Sequence, residues 1–440
     1  MTHFNKIASM VLAMAIAGIS LTWAATPQEE VTNNYRRSAS NHYAYPIPGD
    51  MDAPVLTAAP AGYEAFYIDH YGRHGSRWLT HADTYERPVK VLEHAHHAGV
   101  LTMQGERLLG VLRRVLESSR NRAGDLSDVG AEQHQGIAQR MFDNFPTVFA
   151  GDATVDARST VILRCILSMQ NETMTLLAAN PRLRITTDAS YHDMHYMGWG
   201  YGEDTLANPL RKRMDRITDS LYRQEVDPSR FIASIMDDTS DEAMHIDAIR
   251  LMRDVFDLAG NLQSHHEFDD LNLFYLFTNS EIFNLWRLKN IYWYVHWGNA
   301  VHNGCRMPFI ERALLQDMVD KADAAIATGR HGADLRFGHE TCVLPLACLM
   351  GIDNVAYATD DLDNLHEHWQ DYNIIPKACN IQMVFYRPIA GDGDVLIKVL
   401  YNEHEATLPL EAVDFPYYRW SDVRERFLAT IAIPTDWDAE

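Results

Sequence analysis

Apolar residues along the chain recur with two different spacings. Short runs rich in aromatic and β-branched residues, bounded by glycine, proline or polar residues, predict strands over residues 64–68, 154–157, 183–186, 333–337, 380–386 and 395–401. Longer stretches with apolar positions three and four apart predict helices over residues 84–98, 102–119, 131–145, 160–179, 308–327 and 420–431. Strands that alternate with helices predict an α/β domain.

Residues 190–301 have a different pattern. Helical periodicity recurs there without intervening strands, over residues 209–223, 228–236, 241–258, 271–277 and 280–297. We therefore predict an all-helical cap at 190–301, inserted between the first part of an α/β core, 25–189, and its second part, 302–440.

The N-terminal segment is typical of a secretory signal peptide. Lys6 precedes an apolar run over residues 7–21, and small residues suited to cleavage follow near Ala24. The alternative is a membrane anchor, but the run is shorter than the ~20 residues that a span needs. We predict that residues 1–24 are removed on export to the periplasm or the exterior, with no stable membrane insertion afterwards. Residues 26–60 are polar and are expected to run irregularly over the surface.

Composition limits the possible functions. The 440 residues are 47% hydrophobic, enough for a large buried core, and their formal net charge is −22. Such a field repels nucleic acid and phosphate esters alike, so nucleic acid is not an expected partner and an anionic substrate needs a local cationic pocket. The five cysteines are too few for a disulfide scaffold, and we expect most to be buried free thiols, with a single bridge as the alternative.

The sharpest motif follows the first predicted strand. Arg73-His74-Gly75-Ser76-Arg77 lies in a glycine-punctuated loop. Guanidinium groups match phosphate oxygens, neutral imidazole is a nucleophile, and Gly75 lets the backbone approach a ligand. Since ligands of open α/β sheets bind beyond the carboxyl ends of strands, the position favours a phosphate site.

Three further groups are candidates for the same site. Arg164, near the start of a predicted helix, can join the loop arginines, and Arg158 is its competitor. His339 and Glu340 directly follow the 333–337 strand. Arg211, Lys212 and Arg213 form the cationic cluster of the predicted cap, where they either gather anionic substrate or make a solvated helix face.

These motifs resemble those of the histidine acid phosphatases, the family of phytases and multiple inositol polyphosphate phosphatases. The loop is similar to the family's Arg-His-Gly-x-Arg-x-Pro signature, with Leu79 in place of the proline. His339-Glu340-Thr341 resembles the family's His-Asp-Thr element, whereas relatives that cleave inositol polyphosphates often carry His-Ala-Glu, one position later. The resemblance implies a three-layer, phosphoglycerate-mutase-like α/β core with a helical cap.

The resemblance also implies a chemistry. His74 would attack phosphorus to give a phosphohistidine, while Arg73, Arg77 and Arg164 neutralise the phosphate oxygens. Glu340 is the candidate proton donor, and His339 would bind the phosphate or orient the donor. No cofactor or metal is implied, because arginines carry the charge. The histidines at 94, 96 and 97 lack the spacing of a helical metal site.

The expected partner is a small phosphate ester. An inositol polyphosphate such as phytate fits the resemblance, and a broad acid phosphatase acting on sugar phosphates is the alternative. A non-catalytic phosphate-ligand-binding surface protein is a third possibility, because Glu340 stands one position early. A mutase is disfavoured by the export signal.

Overall fold

A mixed β-sheet runs through the centre of the protein. The computed structural model describes residues 25–46, 54–198, 200, 205, 207–390 and 393–435. Its strands there are β1 Tyr63–Arg73, β2 Thr154–Ser159, β3 Arg184–Asp188, β4 Gly332–Gly338, β5 Asn380–Pro388, β6 Leu396–Tyr401, β7 His404–Glu405 and β8 Tyr418–Arg419. They pair in the order β3-β2-β4-β1-β5-β6-β7, with β8 on β6. Each of the six predicted strands is present.

The sheet changes direction at β1. Strands β1 to β4 are mutually parallel neighbours, whereas β5 and β6 form an antiparallel hairpin beside β1. Arg73 is level with Gly338, and Ser159 is level with Phe337, so β1, β4 and β2 end at one edge. The loops that follow these three strands therefore meet. The predicted turn at Gly391 and Asp392 lies outside the described residues.

Helices cover both faces of the sheet and extend beyond it. The described helices are α1 Pro27–Asn33, α2 Ala82–Ala98, α3 Met103–Ser119, α4 Asp128–Asn144, α5 Leu163–Ala179, α6 Met194–Met197, α7 Asn208–Glu225, α8 Ser229–Ile235, α9 Asp241–His245, α10 Ala248–Asn261, α11 Asn279–Trp297, α12 Arg312–Thr328, α13 Glu340–Met350, α14 Leu365–His368, α15 Asp371–Ile374 and α16 Trp420–Ile431. Short 3₁₀ turns connect several of them, and the helix predicted over 271–277 is one such turn, Phe274–Leu276.

Successive side chains of β1 enter two different cores. Tyr67 packs in a cluster with α12, α13 and α16, whereas Ile68 packs against α4 and α5. Alternation along a strand sends neighbouring side chains to opposite faces, so the sheet is the middle of three layers. The predicted α/β class is confirmed.

A third apolar cluster lies away from the sheet. It joins α2 and α3 to α8, α10 and α11. Between residues 190 and 301 the described residues form helices and turns. The predicted cap thus packs on helices that precede it in the chain, and the domain boundaries at 190 and 301 stay a prediction.

The polar segment after the predicted signal peptide differs from expectation. Residues 1–24 lie outside the described part, but α1 and the 3₁₀ turn Tyr35–His42 follow. The prediction of an irregular surface segment was wrong for residues 27–42, because they are helical and Val31 and Ser38 to Asn41 are buried. Residues 54–60 are irregular and mostly exposed, as predicted. Among the described residues, no helix combines the length and hydrophobicity that a membrane crossing needs.

Candidate active site

The loop after β1 is fixed by backbone hydrogen bonds on both sides. The His74 amide donates to the Gly338 carbonyl at 2.9 Å, and the His74 carbonyl accepts from the Ala378 amide at 3.1 Å. The first bond ties the loop to the end of β4 and the second to the segment before β5. His74 is 1% exposed, so its position is set by the sheet rather than by solvent.

Helices α4 and α5 hold the next two residues. The Gly75 amide donates to Ser168 Oγ at 3.1 Å, and the Ser76 amide donates to Gln133 Oε1 at 2.8 Å. A Cβ on Gly75 would lie 2.4 Å from the carbonyl oxygen of Gly130. Gly75 is therefore required by the close approach of the loop to α4.

The His74 ring is held in one tautomer. Its Nδ1 lies 2.8 Å from the Gly75 carbonyl oxygen, and since a carbonyl oxygen accepts only, Nδ1 carries the proton. Burial, together with the charges of Arg164 and Arg73, lowers the pKa of His74 well below its ordinary value. The imidazole is thus neutral, with the lone pair on Nε2, which is the state of a nucleophile.

Glu340 is the acidic group beside that nitrogen. It begins α13, and its Oε2 lies 3.8 Å from His74 Nε2. Its Oε1 accepts from Arg73 Nη2 at 2.6 Å and from Asn41 Nδ2 at 2.9 Å. Burial raises the pKa of Glu340, but the charges of Arg73, Lys377 and Arg77 outweigh burial and lower it well below the ordinary value. In this arrangement the carboxylate is ionised.

Three arginines surround His74. Arg73 Nη1 donates to the carbonyls of Asn41 and Ile375, and Arg77 Nη1 donates to the Trp78 carbonyl at 2.9 Å. Arg73, Arg77 and Arg164 each keep a buried Nε that finds no hydrogen-bond partner among the described residues. Unpaired donors beside a nucleophile suit an anion with many acceptor oxygens, such as phosphate.

His339 completes the set at the end of β4. Its ring centroid lies 5.6 Å from that of His74, and its Nε2 lies 3.4 Å from Thr160 Oγ1 at the end of β2. Burial, and then the charge of Arg164, lowers the pKa of His339 to about 3. A neutral imidazole here can bind the phosphate but is a poor acid at mild pH.

The same groups have the composition of a metal site. Ligand atoms of His74, His339 and Glu340 all lie within 4.8 Å of one another. The positive charges of Arg73, Arg77 and Arg164 bear on this triad, and Arg73 already pairs with its one carboxylate. A cation would be repelled by these charges, so the arrangement favours an anion.

The remaining cationic candidates have other contacts. Arg158 forms ion pairs with Asp156, Asp188 and Asp193, whereas Arg164 is, after burial, the largest cause that lowers the pKa of His74. Arg164 as a phosphate ligand stays a prediction. The 211–213 cluster is on α7, where the Arg211 guanidinium lies 4.9 Å from the Trp297 ring centroid. The exposed side chains of Lys212 and Arg213 extend from the same helix.

Sequence reasoning missed Asn41, His42 and Lys377. Asn41 bonds to Glu340, and the charge of Lys377 adds to burial in lowering the pKa of His42 well below its ordinary value. Lys377 is a single charged residue in the apolar stretch from Ile374 to Cys379, and this pattern could have indicated a buried lysine. The segment around Asn41 offers no comparable signal.

The five cysteines are all free thiols. Cys165, Cys342, Cys348 and Cys379 are buried, which confirms the expectation for most of them. Cys165 Sγ lies 3.8 Å from His339 Nε2, at the edge of the site.

No protein-family model matches the sequence, and no curated protein matches it either. Solved structures do match. The multiple inositol polyphosphate phosphatase of Bifidobacterium longum in complex with inositol hexasulfate superposes with a TM-score of 0.71 at 18% identity, over 88% of this chain and 97% of that chain. The phytase from D. castellii gives a TM-score of 0.65 at 13% identity, over 94% of this chain and 89% of that chain.

The chain has the fold of the histidine acid phosphatases. The likeness extends over nearly the whole length of both neighbours, so it includes the helical region as well as the sheet. The fold that the motifs implied is therefore confirmed, while the roles of individual site residues stay predictions.

Proposed function

We propose that the protein is an exported phosphoric monoester hydrolase of the histidine acid phosphatase type. The observation that carries the proposal is the state of His74, a buried neutral imidazole whose Nδ1 donates to the Gly75 carbonyl. Its Nε2 lone pair is thereby available beside a carboxylate and three arginines. Export rests on the signal peptide predicted at residues 1–24.

The first step transfers the phosphoryl group to the enzyme. His74 Nε2 forms a bond to phosphorus, and the bond from phosphorus to the ester oxygen breaks. Guanidinium groups of Arg73, Arg77 and Arg164 offset the charge on the phosphoryl oxygens. The departing alkoxide takes a proton from Glu340, which must be protonated at that moment.

Substrate itself supplies a means of protonating Glu340. A phosphate dianion beside Arg73 and Arg77 offsets the charges that lower the pKa of Glu340, so that pKa rises on binding. In the second step water attacks phosphorus and Glu340 accepts the proton of the water. The bond between phosphorus and His74 Nε2 breaks, which restores the neutral imidazole and releases phosphate. Because the donor is a carboxyl group, the rate should be highest in acid.

We propose inositol polyphosphates such as phytate as the substrate class. The B. longum enzyme is named for these compounds and was crystallised with inositol hexasulfate, and the other neighbour is named a phytase. Arg211, Lys212 and Arg213 would hold distant phosphates if α7 faces the bound ester. A broad acid phosphatase acting on sugar phosphates is the alternative within the same chemistry.

One observation favours a second candidate of another class, a non-catalytic phosphate-binding protein. Glu340 is ionised and paired with Arg73, so it is not ready to donate a proton in the free site. Such a protein would bind phosphate without turnover.

Phosphate release from phytate and from p-nitrophenyl phosphate, measured side by side from acid to neutral pH, tests the proposal. Wild type should hydrolyse both in acid and prefer phytate, whereas His74→Ala should keep less than about a thousandth of the turnover. His74→Ala should still bind inorganic phosphate at millimolar concentration or better, because the arginines remain. Higher residual turnover would contradict a covalent mechanism, and binding without turnover in wild type would favour the second candidate.

A further inference from the structure

The segment between α15 and β5 carries a lysine with unusual surroundings. Lys377 is 0% exposed, and its Nζ has no hydrogen-bond partner among the described residues. An ammonium group removed from water without an acceptor costs several kcal/mol, so such groups are rare in folded proteins.

A second lysine of equal burial shows how a buried ammonium group is usually stabilised, by hydrogen-bond acceptors. Lys398 is also 0% exposed, but its Nζ donates to the Thr57 carbonyl at 2.6 Å and to Glu405 at 2.7 Å. The chain therefore satisfies a buried ammonium group where the role is structural. Lys377 has no such acceptor.

The backbone places Lys377 against the nucleophile. The residue after it, Ala378, donates to the His74 carbonyl at 3.1 Å, and the Cys379 carbonyl accepts from the Arg73 amide at 2.9 Å. On its other side, the Ile375 carbonyl accepts from Arg73 Nη1 at 2.8 Å. Lys377 thus lies in a segment that is hydrogen-bonded to both Arg73 and His74.

The electrostatic interactions of Lys377 agree with the backbone contacts and involve the charged groups around His74. After burial, the charges of Arg73 and Arg77 are the largest causes that lower the pKa of Lys377, and Glu340 opposes them. Lys377 in turn is among the charges that lower the pKa of His74 and of Glu340. The amine therefore belongs to the group of cations that surrounds His74.

We propose that Lys377 is a ligand of the phosphoryl group that His74 attacks, its Nζ donating to one of the phosphoryl oxygens. The inference rests on the proposed function, because it assumes that a phosphoryl group binds between the arginines. A phosphate dianion supplies the acceptor and the negative charge that this ammonium group lacks in the protein itself. Lys377 is thereby a fourth cation of the site, beside Arg73, Arg77 and Arg164.

Binding of inorganic phosphate to the full chain, measured by calorimetry, is the first test. Lys377→Met should bind phosphate on the order of 10- to 100-fold more weakly than wild type, the usual loss for a hydrogen bond between charged groups. Lys398→Met is the matched control, a buried lysine outside the site, and should bind phosphate as wild type does. Lys377→Gln serves as a second variant if Lys377→Met does not fold.

The melting temperature without phosphate is the second readout, because it distinguishes a ligand from a structural residue. Replacing a structural lysine would lower the melting temperature, whereas replacing an unpaired one would not. Lys377→Met should melt at the same or a higher temperature than wild type, since an unpaired buried charge is removed. Lys398→Met should melt lower, because Glu405 loses its ion-pair partner and the Thr57 carbonyl loses a donor. Phosphate should raise the melting temperature of Lys377→Met less than that of wild type.

Unchanged phosphate affinity in Lys377→Met would overturn the inference. An increase in KM for phytate alone, with inorganic phosphate bound normally, would also overturn it by assigning Lys377 to a neighbouring phosphate. Turnover of p-nitrophenyl phosphate by wild type separates the two proposals. If wild type has none, the proposed function fails, whereas phosphate binding still decides the role of Lys377.

Discussion

At His74, one backbone carbonyl determines which ring nitrogen can react. The Gly75 carbonyl oxygen accepts a hydrogen bond from the protonated Nδ1, so the lone pair is on Nε2, 3.8 Å from Glu340 Oε2. Burial and the neighbouring cations keep the ring unprotonated. A histidine held in this way stays nucleophilic in acid, where a histidine with an ordinary pKa near 6.5 would be protonated.

Glu340 is the proposed proton donor, but its negative charge also opposes phosphate binding. Substitution should separate these two effects. Glu340→Ala should lower kcat for phytate by about 100- to 10,000-fold, because the leaving group loses its proton donor. The same change frees Arg73 Nη2 and removes a negative charge, so inorganic phosphate should bind more tightly, as measured by product inhibition.

Glu340→Gln is the conservative comparison, since its amide keeps an oxygen for Arg73 but cannot donate as a carboxylic acid does. It should lose turnover as Glu340→Ala does, with a smaller gain in phosphate affinity. Wild-type kcat in either variant would exclude Glu340 as the donor.

At the level of elements, α4 and α5 fix the position of the loop after β1. Ser127 caps α4 by accepting from the Gly130 amide, and the first turn of α4 then touches the loop backbone. Ser168 on α5 and Gln133 on α4 accept the next two loop amides. The loop thus derives its shape from side chains of two neighbouring helices.

Gly130→Ala tests the contact between α4 and the loop after β1. A Cβ there would lie 2.2 Å from the carbonyl oxygen of Ser76, so the loop must move. A displacement of the order of 1 Å at a reacting group costs about 100-fold in rate, and kcat should fall by about that factor.

Gly110→Ala is the matched control, because a Cβ at Gly110 on α3 meets nothing within 4 Å. It should leave kcat unchanged and stabilise the protein by about 0.5–1 kcal/mol, as alanine does in a helix interior. Normal kcat in folded Gly130→Ala would show that the contact does not set the loop geometry.

The elements also explain what could be predicted from the sequence. His74 and His339 directly follow strands with clear apolar patterns, and the carboxyl ends of parallel strands meet at one edge, so their proximity was predictable. Asn41 is 299 residues from Glu340 along the chain and belongs to a 3₁₀ turn without apolar periodicity. Contacts of this kind depend on how separate elements pack, which neither spacing nor composition records.

Across the whole molecule, charge is divided unequally. The chain carries a net charge of −22, yet His74 is enclosed by Arg73, Arg77, Arg164 and Lys377 with Glu340 as their counter-ion. The global field slows the approach of anions, and the local cations retain them once they arrive. Added salt screens this global repulsion and should therefore speed the association of an anionic substrate, as measured by stopped-flow kinetics.

Several buried histidines couple the stability of the whole fold to pH. Burial lowers the pKa values of His70, His265 and His339 to about 3. In the unfolded chain these groups take up protons near pH 6.5, about their ordinary pKa. As pH falls below that value the unfolded state binds more protons than the folded state, so the free energy of unfolding decreases.

His70 offers the cleanest test, because both of its ring nitrogens are buried without a partner and its removal breaks no hydrogen bond. Each such histidine contributes a loss of about 1.4 kcal/mol per pH unit below about pH 6. In His70→Leu the slope of the free energy of unfolding against pH should be smaller by that amount, as measured by urea denaturation between about pH 7 and pH 5.

Burial raises the pKa of Asp371 to about 6, which gives a slope of the opposite sign, but this contribution is common to wild type and variant and cancels. His94→Leu, at an exposed position, is the control and should keep the wild-type slope. An equal slope in His70→Leu would mean that His70 titrates in the folded protein, and the acid sensitivity would then come from the other buried histidines, such as His265 and His339.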